Sequence, residues 1–324
     1  MYSFDDLRLQ FEDFLLSKKF DKNPQGLYEP INYILSLSAK RMRPALLLAS
    51  YNLFRDDLEV AMPLAFATEL FHNFTLMHDD IMDEADLRRG QVSVHKKYDV
   101  NTAILSGDVM MIYAYQYMAM SPPDKLARVL DIFHDTAIKV CEGQQWDVEY
   151  ETSDNVTVSD YVKMISYKTA VLVAATLKIG AIIAGASDKD ADHLYQFGEN
   201  LGIAFQVQDD ILDTFGDTAK VGKVIGGDII QSKKTYLYLK AVELIEDHKR
   251  ADFIKLYNSD IQQEFDKVKK VRKVFDELYV LHYAQQLKEN YEQLASSHFE
   301  AVNIAPDRRS TINEIVNMLM IRES

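Results

Sequence analysis

An all-α fold is predicted for this 324-residue chain by three features. Apolar residues recur at three- and four-residue steps, the spacing that lines one face of a helix. Alternation of β-branched with polar residues, the mark of a half-buried strand, is nearly absent. The strongest helix breakers are confined: no proline lies between Asp124 and Ala305, and no glycine follows Gly227.

Punctuation of this kind places breaks at Asp21–Tyr28, Ala85–Val92, Ser121–Asp124, Glu151–Val156, Gly185–Asp190, Phe215–Gly227, Tyr257–Ser259 and Asn303–Asp307. Between them, Phe66, Leu70, Phe74, Met77 and Ile81 form one helical stripe, and Phe197, Leu201, Phe205, Gln208 and Leu212 form the inward face of another. The most lipid-like stretch, Ala170–Ala186, is broken by Lys178 and falls short of the roughly 20 apolar residues of a membrane span, so a buried helix is expected there. Glu264–Lys273 alternates in sign at helical spacing and reads as a solvated face. No break is long enough, or simple enough in composition, to be an inter-domain linker, which makes residues 1–324 a single domain.

Hydrophobic residues make up 48% of the chain, ample for a large core, and the formal net charge of −14 argues against nucleic acid or an anionic membrane surface as partner. The lone Cys141 excludes an intramolecular disulfide, and the opening Met1-Tyr2-Ser3-Phe4-Asp5-Asp6 lacks the basic and apolar regions of a signal peptide. A cytoplasmic protein without stable membrane insertion is expected.

Two acidic motifs stand out, Asp79-Asp80-Ile81-Met82-Asp83 and Asp209-Asp210-Ile211-Leu212-Asp213. In each, the first and last Asp are i and i+4, so their carboxylates share one helix face, where like charges are mutually destabilising. A hard cation relieves that repulsion. Mg²⁺ is usually held by one or two carboxylates plus substrate phosphates, so two facing Asp pairs suit a metal-bridged diphosphate. Calcium in an EF-hand requires a central Gly and a distal Glu that neither motif has. Cations collect nearby: Lys40, Arg41 and Arg43 precede Pro44, and Arg88 and Arg89 follow the first motif before Gly90. His72 lies two turns before Asp79 on nearly the same face, within reach of an anion.

With these blocks in order, AKRMRP at Ala39–Pro44, HNFTLMHDDIMD at His72–Asp83, LRRG at Leu87–Gly90, YKT at Tyr167–Thr169, FQVQDDILD at Phe205–Asp213 and GKVIGGD at Gly222–Asp228, the chain strongly resembles the trans-isoprenyl diphosphate synthases. The resemblance implies the isoprenoid synthase fold, a bundle of antiparallel helices around a central cavity, and a homodimer. It implies Mg²⁺-dependent head-to-tail condensation of isopentenyl diphosphate with an allylic diphosphate. Asp79 and Asp83 would bind two Mg²⁺ and Asp209 a third, supported by Asp80, Asp210, Asp213 and Asp228. Arg88, Lys168 and Lys223 would hold the allylic diphosphate; Lys40, Arg43, His72 and Arg89 the homoallylic one. Lys233 joins the substrate-binding set, and Thr169 and Gln206 would sit near the allylic carbon. The family usually has Gly where this chain has Ala39, a change that bears on the turn presenting Lys40.

A class I terpene cyclase shares the first acidic motif but normally carries an Asn/Ser/Glu-type second motif and lacks the Lys40/Arg43 cluster. A non-catalytic partner subunit usually shows degraded acidic motifs, whereas all six Asp are present here. The remaining alternative is an acidic helical scaffold. For product length, the helical wheel puts Thr75 about 40° from Asp79 and Phe74 about 140° away, about 7.5 Å earlier along the axis. Thr75 is better aligned, but only Phe74 has the bulk to stop a chain. The resemblance assigns both to length control, and an aromatic at the fifth position before the motif implies geranylgeranyl diphosphate, C20, with farnesyl diphosphate next.

Overall fold

Ser3 opens the first helix: its hydroxyl accepts from the Asp6 backbone, and the Asp6 carboxylate accepts from the Ser3 backbone at 3.0 Å. This reciprocal cap starts α1 (Phe4–Leu16). In this computed structural model residues 1–153, 155–216, 226–259 and 264–320 are described. Helices α2 (Gln25–Ser36), α3 (Met42–Asn52) and α4 (Met62–Met82) follow, the last with Pro63 in its first turn, where a missing N–H costs nothing. A short hairpin, β1 (Leu87–Arg88) and β2 (Gln91–Val92), pairs Leu87 with Val92 and Arg88 with Gln91. Its two turn residues, Arg89 and Gly90, have φ of 53° and 74°, the left-handed pair that a tight two-residue hairpin requires.

The chain continues through α5 (Val94–Lys97), α6 (Val100–Met118), α7 (Leu126–Thr152) and α8 (Val158–Ile165) into a π-helical turn, Ser166–Ala170, then α9 (Val171–Ala184) and α10 (Asp188–Phe215). Beyond it lie α11 (Gly227–Ile230), α12 (Tyr236–Leu244), α13 (Asp247–Tyr257), α14 (Glu264–Glu277), α15 (Val280–Glu300), a 3₁₀ turn at Pro306–Arg309 and α16 (Ser310–Met320). The structure is 77% helical, in accord with the predicted class.

Two compact units emerge, each assembled from separated segments. The first comprises Met1–Phe133, Thr176–Asp192 and Asn303–Ile315. Helix α4 runs through its core: Phe66, Leu70, Phe71 and Met77 are fully buried, each worth roughly 1.5–3 kcal/mol of transfer free energy. Phe66 meets Tyr117 edge-on at 4.8 Å, and Phe71 meets Phe133 at 5.2 Å. The second unit comprises His134–Ala175, His193–Val302 and Val316–Ser324. Its core joins Tyr161, Met164, Ile203, Val207 and Ile211 to Tyr238, Phe253, Tyr257 and Phe275. Four of the five divisions fall inside helices, α7, α9, α10 and α16, and the fifth, at Val302/Asn303, lies in the loop after α15.

Two expectations change on contact with the structure. Lys267, read as part of a solvated face, is 3% exposed: its ammonium donates to the Ser232 hydroxyl at 2.8 Å and to the Ile230 carbonyl at 3.2 Å, so it fastens the end of α11. The residue whose backbone makes the turn after Lys40 is Arg41, at φ 51°, and Ala39 has no positive φ. The apolar stretch expected as a buried helix is largely that: among the described residues Val158–Ala184 is long and apolar enough to cross a membrane, and 72% of an apolar 18-residue window within it is buried.

Candidate active site

In the first unit the cations and carboxylates pair unevenly. Helix α4 carries Glu69, His72, Asp79 and Asp80 along its length, α3 begins beside it with Arg41 and Arg43, and the hairpin brings Arg88 and Arg89. Buried Arg41 binds buried Glu69 at 2.5 Å. Arg88 binds Asp80, which is fully buried; burial pushes the Asp80 carboxyl up, and the hydrogen bond and charge of Arg88 pull it back. Among the described residues Arg43 and Arg89 have no such carboxylate, and Arg43 Nε and Arg89 Nη1 are buried without a hydrogen-bond partner. Burial lowers Arg43 to about 10, with Glu69 pulling upward and Arg89 downward, so both its charge and its unmatched donor persist at neutral pH. Buried unsatisfied guanidinium donors are costly, and a diphosphate oxygen would satisfy them.

His72 accepts from this cluster. Arg43 Nη1 lies 3.0 Å from His72 Nε2, and since guanidinium can only donate, the imidazole presents a lone pair there and carries its proton on Nδ1. Burial, then the charges of Arg43, Arg89, Arg88 and Arg41, hold His72 well below its ordinary value of 6.5. An imidazole kept neutral in the fold but free to protonate when unfolded contributes stability above pH 6.5 that is lost as the pH falls through that value. Wild type is therefore expected to lose unfolding free energy between about pH 6.5 and 5 more steeply than His72→Gln, measured by denaturant titration at each pH. Parallel curves would remove His72 as the cause.

Phe74 is 8% exposed, its ring edge-on to Phe71 at 5.5 Å and to His78 at 4.9 Å. The Thr75 hydroxyl donates to the His72 carbonyl at 2.8 Å. Lys40 is exposed at the mouth of the turn before α3.

In the second unit the π-helical turn sets Lys168 and Thr169. Such turns widen a helix locally and recur at functional sites. The Lys168 ammonium donates to Asp147 Oδ2 at 2.5 Å, and the Thr169 hydroxyl donates to Gln206 Oε1 at 3.5 Å. The Gln206 amide donates in turn to Asp210 Oδ1 at 3.4 Å, and the Tyr161 hydroxyl donates to Asp210 Oδ2. Burial and then the Asp228 charge push Asp210 well above the usual carboxylate range; the bonds from Tyr161 and Gln206 oppose this. Asp213 Oδ2 accepts from the Asp228 backbone at 3.0 Å, which joins the second motif to α11. Lys233 follows that helix, its backbone N–H bonded to the Asp228 carbonyl at 2.8 Å. Lys223 lies outside the described residues.

Sequence reading missed Asp147, Tyr161 and Glu69. Only Glu69 left a mark: it is the sole Asp, Glu, Lys or Arg between Met62 and His78, an acid inside an apolar run.

Both acidic motifs sit at helix C-termini. Asp79 and Asp80 lie in the last turn of α4 with Asp83 at its C-cap, Asp213 lies in the last turn of α10, and neither last turn holds a basic residue. A carboxylate there meets the negative end of the helix dipole. Hard oxygen donors in that field fit a hard divalent cation, and among the described residues no three acidic or imidazole groups converge into a closed cage.

The sequence pattern of the polyprenyl synthetase family matches residues 24–278. The chain belongs to that family. It is similar to a geranylgeranyl pyrophosphate synthase of Geoglobus acetivorans, 34% identical over 305 residues that cover 94% of this chain and 93% of the relative. It is also similar to a short chain isoprenyl diphosphate synthase of Methanocaldococcus jannaschii, 37% identical over 81% of this chain and 80% of the relative. A crystal structure of a geranylgeranyl pyrophosphate synthase superposes with a TM-score of 0.93 at 44% identity, covering 100% of both chains. As a polyprenyl synthetase the chain is a trans-prenyltransferase with the all-α isoprenoid synthase fold, and its substrates are isoprenoid diphosphates. Synthases of this family are generally Mg²⁺-dependent.

Proposed function

We propose that this polyprenyl synthetase condenses isopentenyl diphosphate with an allylic diphosphate, with geranylgeranyl diphosphate as its main product. The observation that carries this reading is the pair of unmatched guanidiniums, Arg43 and Arg89, beside an acidic helix end in a chain whose relatives bear that product's name. Three Mg²⁺, held by Asp79, Asp83 and Asp209 with Asp80, Asp210, Asp213 and Asp228 in support, would supply Lewis-acid neutralisation of the departing diphosphate. Lys168, Lys223 and Arg88 are assigned to the allylic diphosphate, Lys40, Arg43, His72 and Arg89 to the homoallylic one, and Lys233 to substrate binding.

The chemistry assigns each residue type. The allylic C–O bond breaks with its electron pair leaving on the diphosphate, where fixed cations lower the barrier. Thr169 and Gln206 offer dipoles without a strong nucleophile to the allylic cation, and apolar walls exclude the water that would give a prenyl alcohol. The double bond of isopentenyl diphosphate attacks, and the proton then lost passes to the departing diphosphate, since no side-chain base is assigned to it.

Phe74 is assigned the floor of the chain site, with Thr75 beside it. Labelled isopentenyl diphosphate with C5, C10 and C15 primers, followed by chromatography of the dephosphorylated products, is expected to give mainly C20. Phe74→Ala is expected to shift the distribution to longer chains. An unchanged distribution from a folded variant removes Phe74 as the floor, and no elongation from any primer defeats the proposed activity.

The whole chain acts as one domain in this reading, supported by helices that run through four of the five divisions between the units. A cytoplasmic location accords with the lone Cys141. A homodimer is supported by α6, which leaves Val100, Ile104, Leu105 and Ile112 exposed. Light scattering is expected to report a dimer that Leu105→Glu with Ile112→Glu converts to monomer.

A further inference from the structure

Among the groups around the first acidic motif, one buried carboxylate has no part in the reaction as assigned. Glu69 is 1% exposed and Arg41, its partner, is 6% exposed. Arg41 occupies a left-handed conformation, φ 51° and ψ 39°, at the start of α3, which costs a non-glycine residue about 1–2 kcal/mol. Its side chain offsets that cost. One guanidinium nitrogen donates to Glu69 Oε1 at 2.5 Å; another donates to the carbonyls of Leu35 at 2.6 Å and Leu37 at 3.0 Å, at the end of α2. Asn73, one turn after Glu69, donates from its amide to the same Oε1 and to the Glu69 carbonyl, both at 2.8 Å. The left-handed residue is thus tied to α2 and α4 at once, with Lys40 just before it and Arg43 two residues after it. Arg43 in turn meets His72, three residues after Glu69 on α4.

We propose that Glu69 is a positioning residue for the homoallylic diphosphate: held by Asn73, its carboxylate fixes Arg41 in the left-handed turn and so sets where Lys40 and Arg43 stand, without touching substrate. This rests on the assignment of Lys40 and Arg43 to that diphosphate. The site then divides its guanidiniums by task. In the cluster assigned to the homoallylic diphosphate, Arg41 is matched internally by Glu69, while Arg43 and Arg89 keep unmatched donors for the ligand.

The test is two-substrate steady-state kinetics on Glu69→Gln, Asn73→Ala and the double variant Arg41→Met with Glu69→Leu, alongside Arg43→Ala and with thermal melts of each. Glu69→Gln is expected to raise KM for isopentenyl diphosphate about tenfold or more, with the allylic KM within about twofold; Asn73→Ala moves it the same way by less. The double variant replaces a buried pair by apolar groups, so its Tm recovers toward wild type. Its homoallylic KM stays high, because the turn still lacks its tether. Recovery of that KM along with Tm would mean a merely structural pair and would overturn the proposal, as would unchanged or equal shifts of both KM values in Glu69→Gln. Should Glu69→Gln fail to fold, Asn73→Ala and the double variant decide by the same criteria. If instead Arg43→Ala leaves the homoallylic KM unchanged, the site assignment itself fails.

Discussion

Asp79→Ala and Asp209→Ala are each expected to lower kcat by about 10²–10³-fold or more while leaving the fold intact, since ligands that hold charge against a developing anion act chiefly in the transition state. Asp83→Ala belongs with them and sharpens the test. Asp83 is exposed at the C-cap of α4, where a negative charge opposes the helix dipole, so its removal is expected to leave Tm unchanged or slightly higher as activity collapses. Asp80→Ala should behave differently: Asp80 is fully buried against Arg88, and its loss leaves a guanidinium short of its partner, so Tm falls together with kcat. Steady-state kinetics at saturating Mg²⁺ and both substrates, with melts of the same samples, separate the cases. A variant of Asp79, Asp83 or Asp209 with near-wild-type turnover leaves the catalytic set.

The helices were legible because burial writes a 3.6-residue period into the sequence: Phe66, Leu70, Phe74 and Met77 fall on one side of α4 and are all buried. The acidic motifs were legible because their geometry is local, an i and i+4 pair on one helix. What escaped is pairing across long separations. Arg41 and Glu69 are 28 residues apart, Lys168 and Asp147 are 21, and Tyr161 and Asp210 are 49; no period connects such partners. The same holds for Lys267, whose neighbours in sequence alternate in charge as a solvated face does, while its own ammonium caps the end of α11. The departure at Ala39 looked like a backbone problem because Gly is the residue most tolerant of positive φ. The left-handed residue of that turn proves to be Arg41, two places on, secured by its side chain.

Gly143→Ala is expected to cut kcat by about a hundredfold through displacement of the π-helical turn. A Cβ built on Gly143 of α7 would lie 2.3 Å from the Lys168 backbone nitrogen, 2.7 Å from the Tyr167 carbonyl carbon and 2.8 Å from Lys168 Cα. All three are backbone atoms, so no side chain can rotate away, and the turn itself must move. Asp147, which binds the Lys168 ammonium, is one turn along α7 from Gly143, so the same helix face both admits the turn and holds its lysine. A shift of an ångström there moves Lys168 and Thr169 together. Overpacking also destabilises, typically by about 1–3 kcal/mol, so lost activity needs a control of equal strain. Gly180 of α9 supplies it: a Cβ there would lie 2.5 Å from the Leu47 carbonyl oxygen, also backbone, at a contact that carries none of the assigned site residues. Gly180→Ala should lower Tm by a similar amount yet keep kcat per folded molecule close to wild type, measured well below both transitions. Equal losses of kcat in the two variants would assign the effect to general loosening, and full activity in Gly143→Ala would show that the turn does not set Lys168 and Thr169 for catalysis.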